Sequence, residues 1–215
     1  MESLPLFYST KSPSEITSTT PLLILLHGYG SNEEDLLAFS DSLDENFLVV
    51  SLRGPLVLDP VSYAWFDINF LDQSPSINTQ QGIDSLNDIL NTIVQIKNHY
   101  GLNNQKVHLC GFSQGGMLCY ALALRNPNLF GKVACLSAYP EESLLQLGSI
   151  SKKELEHLRF FISHGTEDGI IPIEWARKAA DLLYDLGCYF SFREYMSGHA
   201  INPKNYKDLM DFINS

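Results

Sequence analysis

The sequence predicts an α/β protein, a doubly wound and mostly parallel sheet with helices on both faces. Short apolar runs alternate with stretches of helical periodicity along its 215 residues, the signature of repeated strand–helix units. Most of the apolar runs are continuous rather than alternating, as strands covered on both faces must be. One such run passes through Gly111-Phe112-Ser113-Gln114-Gly115-Gly116 directly into a helical pattern, which places a sharp strand-to-helix turn in mid-chain.

The elements follow in order. Residues 4–9 read as an added edge strand. The runs at 22–26 (LLILL) and 47–52 read as buried strands. The stretch 54–79 is a long loop holding Pro55, Pro60, Pro75 and the apolar group Tyr63-Ala64-Trp65-Phe66, and a loop of that length is uncommon unless it lines a site. Residues 80–97 form a helix, with Ile83, Leu86, Leu90, Ile93 and Val94 on one stripe. A strand at 107–110 leads through the serine turn into a helix at 114–125, and a further strand follows at 133–137. The connection 139–158 is too short to insert a cap domain, so an open, shallow site is expected. A strand at 160–163, a helix at 174–186 stopping before Gly187, a strand at 189–195 and a helix at 205–213 after Pro203 complete the chain. No internal repeat or low-complexity linker divides it, so residues 1–215 are expected to be a single domain. In sheets of this kind chemistry gathers at the carboxyl ends of the strands.

Bulk composition narrows the function. Apolar residues make up 45% of the chain, enough for a sizeable core. Fourteen basic and 25 acidic residues give a net charge of −11, with the acidic groups scattered over the sequence. That balance argues against nucleic acid or an anionic membrane as a partner, since both select basic patches. The four cysteines, Cys110, Cys119, Cys135 and Cys188, form no C-x-x-C pair, and three sit in or beside apolar runs. They read as reduced core thiols, which suits the cytoplasm. The N-terminal stretch MESLPLFYSTKSPSE lacks the basic and apolar regions of a signal peptide. The run 22–26 is too short to span a bilayer. A soluble cytoplasmic protein without stable membrane insertion is expected.

The serine turn carries the chemistry. Gly111-Phe112-Ser113-Gln114-Gly115 fits G-x-S-x-G in the setting that motif requires, after a strand and at the start of a helix. A hydroxyl lifted above the sheet edge there is a candidate nucleophile. The N–H of Gln114, at a helix N-terminus, is a candidate oxyanion donor. A serine needs a base. Of six histidines, His108 lies inside a strand run, His99 and His157 lie near helical surfaces, and His27 and His164 punctuate strand ends as His-Gly pairs. His199 follows the last strand in a loop that can reach over the sheet, and is the expected base. The base needs an acid to orient it. Asp168, past the 160–163 strand in HGTEDGIIP, is the candidate, with Glu167 the neighbouring alternative. The order Ser113, Asp168, His199 is that of α/β-hydrolase triads. A second oxyanion donor is expected from the backbone N–H of Tyr29, in LLHGYG. Neither an H-E-x-x-H motif nor a dinucleotide fingerprint is present, so no metal or cofactor is expected.

With these residues in hand, the chain resembles the small carboxylesterase/phospholipase family of α/β-hydrolases, the group that includes acyl-protein thioesterases and lysophospholipase-like esterases. The resemblance runs from about residue 22 to the C-terminus and rests on LHGYGSNEEDL, GFSQGGMLCYALAL, HGTEDGIIP and GHAI, which occur in the family's order. It implies an α/β-hydrolase fold without a large cap, with Ser113 as nucleophile, Asp168 as acid and His199 as base. The N–H groups of Tyr29 and Gln114 would form the oxyanion hole. The spacing from Asp168 to Pro172 matches the family and favours Asp168 over Glu167. The segment 62–70, SYAWFDINF, corresponds to one near the family's acyl site, so Trp65 and Phe66 are expected as walls of a substrate groove, with a core aromatic the alternative for Trp65. The implied activity is hydrolysis of carboxylic esters, or of lysophospholipids or thioesters, with a small-molecule or lipid substrate. The resemblance also makes a homodimer plausible.

Overall fold

A computed structural model describes residues 4–69, 76–148 and 151–215. Its centre is a seven-stranded sheet. The strands, in chain order, are β1 (Tyr8–Lys11), β2 (Leu22–Leu26), β3 (Leu48–Leu52), two small hairpins described below, β8 (Val107–Phe112), β9 (Phe130–Leu136), β10 (Arg159–Gly165) and β11 (Tyr189–Tyr195). Their spatial order is β1-β3-β2-β8-β9-β10-β11. Every pair is parallel except β1 with β3, which is antiparallel. The expected edge strand therefore exists, shifted from 4–9 to Tyr8–Lys11, where half its residues face solvent and apolar character is not required.

The helices are α1 (Glu33–Leu37), α2 (Thr79–Tyr100), α3 (Gln114–Arg125), α4 (Glu142–Leu145), α5 (Lys152–Leu155), α6 (Ile173–Asp185) and α7 (Pro203–Asn214). Strand pleating sorts them into two layers. From β2, Leu22, Ile24 and Leu26 face a core shared with Leu86, Ile89 and Ile93 of α2, most of α3, and Ala179 and Leu183 of α6. From the same strand, Leu23 and Leu25 face a second core with Leu36 of α1 and Leu209, Met210 and Ile213 of α7. Because β2 is buried on both faces, all five of its residues are apolar.

Two expectations about 54–100 are corrected. The long loop folds into hairpins, β4 (Leu56–Asp59) with β5 (Ser62–Ala64) and β6 (Ile68–Asn69) with β7 (Ser76–Ile77). Residues 70–75, including the Phe70 and Pro75 of the sequence argument, lie outside the described residues. In α2, Asn78 caps the first turn by accepting the N–H of Gln81, and Gly101 ends the helix at φ 70°. Its buried stripe is Leu86, Ile89, Ile93 and Ile96, while Val94 is half exposed. At 100° per residue Val94 lies about 80° around the helix from Leu86, off the face that meets the sheet.

Candidate active site

The site is built at the carboxyl ends of β8, β10 and β11. Ser113 stands between β8 and α3 with φ 52° and ψ −117°, a conformation an L-residue adopts only under strain. The turn is sharp because α3 starts almost on top of β2. A Cβ on Gly115 would lie 2.0 Å from the carbonyl oxygen of Leu26, so only glycine fits. The strain at Ser113 is held in place by its own N–H, which donates to the Leu136 carbonyl of β9 at 2.8 Å.

The structure brings three of the sequence-predicted side chains into one hydrogen-bonded chain. The Ser113 hydroxyl donates to His199 Nε2 at 2.9 Å, and His199 Nδ1–H donates to Asp168 Oδ2 at 2.7 Å. The tautomer follows from the partners, since a carboxylate only accepts. His199 is on the loop after β11, and Gly165 lets that loop pack against β10. A Cβ there would meet the Ser197 carbonyl at 2.2 Å. The Asp168 side chain is fully buried. Its other oxygen accepts the N–H groups of Ile170 and Ile171, both at 2.9 Å. Burial by itself would raise the Asp168 pKa. The hydrogen bonds from His164, His199 and the two backbone N–H groups outweigh burial and hold the carboxyl well below the ordinary range. Glu167, the alternative acid, is exposed, and it is Asp168 that His199 meets.

The residues expected to supply the two N–H donors flank Ser113: Gln114 follows it in the chain, and Tyr29 lines the same cavity. Neither the Tyr29 nor the Gln114 N–H has a protein acceptor among the described residues. For Gln114 that follows from its place in the first turn of α3. The loop carrying Tyr29 is fastened by His27, which is fully buried. Its Nδ1–H donates to the Gly28 carbonyl at 2.7 Å and its Nε2 accepts the Gly54 N–H at 2.9 Å. Burial pushes the His27 pKa down, so the ring stays neutral.

Ser113 and His199 open onto a cavity of about 180 Å³ with walls from Ile68, Met117, Ile170, Ile171 and Trp175, rimmed by Tyr29 and Tyr139. A larger open groove of about 870 Å³ lies next to it, lined by Leu145, Leu147, Glu141 and Glu142 among others. The two share Tyr139 and Trp175, whose rings meet edge to face with centroids 4.7 Å apart. Size alone would place the site in the groove, but the hydrogen-bonded Ser113 and His199 open onto the smaller cavity.

Trp65 and Phe66 do not line that cavity. Both are completely buried and belong to the core between the sheet and α2, which corrects their reading as groove walls in favour of core aromatics. The reason is local: β5 ends at Ala64, and the chain then turns inward over Gly82 and Ser85 of α2. The walls that sequence reasoning missed are Met117, Ile170, Ile171, Tyr139 and Trp175. Ile170 and Ile171 carried a signal, since they sit in HGTEDGIIP two and three residues past the acid. Tyr139 and Trp175 carried none. His164, read as loop-shaping, also touches the acid: its Nε2–H donates to the Ile171 carbonyl at 2.8 Å with Asp168 Oδ2 a second acceptor at 3.3 Å.

This architecture is that of the α/β-hydrolases. Comparison with known proteins gives the particular group. The phospholipase/carboxylesterase family matches residues 11–215, and the chain belongs to that family. It is by class a carboxylic-ester hydrolase. It is similar to acyl-protein thioesterase 1 of Emericella nidulans, 26% identical over 90% of this chain and 89% of that protein. It is also similar to carboxylesterase SOBER1 of Arabidopsis thaliana, 30% identical over 71% of this chain and 68% of that protein. The crystal structure of a carboxylesterase from Mesorhizobium loti superposes with a TM-score of 0.82 at 20% identity, covering 99% of this chain and 96% of that one, a likeness of fold. Among the described residues no helix is long and apolar enough to cross a membrane.

Proposed function

We propose that the protein is a serine carboxylesterase working through an acyl-enzyme on Ser113. The observation that carries the reading is the unbroken chain from Ser113 through His199 to the buried Asp168, at the mouth of an apolar cavity. His199 Nε2 takes the Ser113 proton as Oγ attacks the ester carbonyl. The tetrahedral oxyanion is held by the N–H groups of Tyr29 and Gln114. Asp168 keeps His199 in the tautomer whose Nε2 is free to accept, and stabilises the imidazolium that forms. His199 then delivers its proton to the departing alcohol. Water, deprotonated by the same histidine, releases the acid.

The enclosed cavity is smaller than the roughly 300 Å³ at which sites for drug-sized ligands begin, which favours a short acyl group inside it. The open groove beyond Tyr139 and Trp175 leaves room for a large leaving group. A thioester substrate is the second reading, favoured by the similarity to an acyl-protein thioesterase. The four cysteines are free and buried, which supports a reducing compartment such as the cytoplasm.

The test is hydrolysis of p-nitrophenyl esters by wild type and Ser113→Ala. The variant is expected to lose about five to six orders of magnitude in turnover. A fluorophosphonate should add to wild type at Ser113 and leave the variant unlabelled. A variant that keeps wild-type turnover would sink the reading.

A further inference from the structure

Trp65 is completely buried, yet all three of its polar atoms are engaged with specific partners. Its indole Nε1–H donates to the His27 carbonyl at 2.9 Å. Its backbone N–H donates to Gln114 Oε1 at 2.8 Å, and its carbonyl accepts the Ser85 hydroxyl at 2.6 Å. Gln114 closes the loop by donating from Nε2 to the Phe66 carbonyl at 2.6 Å. Any buried residue must pair its backbone N–H and carbonyl, and a buried indole N–H needs an acceptor, so what singles out Trp65 is which groups serve as its partners. Here the indole reaches the peptide next to the one carrying the Tyr29 N–H, and the backbone reaches the side chain of Gln114.

We propose that Trp65 is a positioning residue that sets the separation and orientation of the two oxyanion-hole N–H groups. The proposal rests on the serine-esterase reading above, in which those N–H groups belong to Tyr29 and Gln114. The two donors come from different parts of the chain, the loop after β2 and the start of α3. Trp65 is hydrogen-bonded to both segments, to the His27 carbonyl of the first and to the Gln114 side chain of the second, and is anchored to α2 through Ser85. The His27 ring packs against the indole with centroids 5.2 Å apart, so the loop is held through a ring contact as well as a hydrogen bond. Oxyanion stabilisation depends on donors fixed before the charge develops, and removing one donor typically costs a factor of about 10² to 10³ in turnover. A displaced pair of donors should cost somewhat less.

The experiment compares wild type, Ser113→Ala and Trp65→Phe. Trp65→Phe keeps an aromatic ring and deletes the N–H, leaving the His27 carbonyl without its donor. Expected are a kcat lower by about tenfold to a hundredfold and a KM within about twofold of wild type. The inhibition constant of a trifluoromethyl ketone should rise by the same factor as kcat falls. Ser113 adds to that ketone, its proton passes to His199, and the resulting hemiketal oxyanion occupies the hole. A purely structural role would lower the unfolding temperature and leave kcat and the inhibitor ratio unchanged, and that result overturns the proposal. If Trp65→Phe does not fold, Ser85→Ala decides, because it removes the α2 anchor of the Trp65 carbonyl and leaves the cavity walls and both N–H-bearing segments unaltered. A lowered kcat at constant KM supports the proposal and an unchanged kcat overturns it. Should Ser113→Ala keep wild-type turnover, the serine reading itself fails and the proposal falls with it. An inactive Ser113→Ala beside a fully active Trp65→Phe removes the proposal alone.

Discussion

Asp168 shows how a single side chain is made fit for a role at the bottom of the site. It is fully shielded from water yet stays ionised, because His199, His164 and two backbone N–H groups all donate to it. A neutral amide in its place could donate to His199 Nδ1 and reverse the tautomer. Asp168→Asn is therefore expected to lower kcat by about four orders of magnitude while leaving the fold intact, which kinetics and circular dichroism would check together. The depressed pKa also has a sign for stability. The contribution of Asp168 is fully present above the ordinary aspartate value of about 3.9 and is lost as pH falls through that value toward the folded one. Urea midpoints of wild type and Asp168→Asn should converge between pH 5 and pH 2. Midpoints that stay a constant distance apart would show that the folded carboxyl is not depressed.

Elements meet the site through contacts that tolerate little change. Helix α3 starts against the end of β2 with no room for a side chain at Gly115. Gly115→Ala should force the Leu26 and His27 carbonyls away and cost about 1–3 kcal/mol, read as a lower urea midpoint, with turnover falling as well because the same carbonyls flank the Tyr29 loop. At the other end of the pairing between β8 and β9, the register slips between Val107 and Leu109. The His108 side chain repairs the ladder there by accepting the Lys132 N–H on Nδ1 at 3.0 Å. Burial, helped by the Lys132 charge, pushes the His108 pKa down to about 4. The unfolded chain binds this proton near pH 6.5, so folding stability is lost as pH falls from about 6.5 to 4. His108→Asn, which retains an acceptor and cannot titrate, should flatten that part of the stability profile without altering kcat. An unchanged slope in thermal melts over this pH range would rule the histidine out as its source.

The whole molecule determines what can reach the serine. Two helical layers over a parallel sheet leave the strand ends uncovered, and the connections there supply the walls: Ile68 after the first hairpin, Ile170 and Ile171 beyond β10, and Trp175 from α6. The enclosed volume of about 180 Å³ leads to the expectation that butyrate esters are cleaved with higher kcat/KM than laurate esters. A laurate optimum across the p-nitrophenyl series would show that the acyl chain runs out along the larger groove instead.

Much of this was legible in the linear chain, for a physical reason. Buried parallel strands must be apolar on both faces, a strand that turns at once into a helix must have glycine where backbones touch, and a helix must be capped, as Asn78 and Gly101 cap α2. These are demands of near neighbours, so β2, α3 and the serine turn could be read directly. The order of serine, acid and histidine was legible because the chain places each at a strand end. Which carboxylate faces His199 was a matter of long-range packing: Asp168 and His199 are 31 residues apart and Ser113 and His199 are 86 apart. The same holds for Trp65, whose apolar neighbours suit a groove wall and a core equally well. Its fate was decided by hydrogen bonds to His27 and Gln114, 38 and 49 residues away in the chain. The sequence by itself determined the fold and the kinds of group that could react. Only the tertiary structure decided which of those groups touch and which aromatic faces the cavity, because contacts of that length follow from how the layers pack and not from any local period.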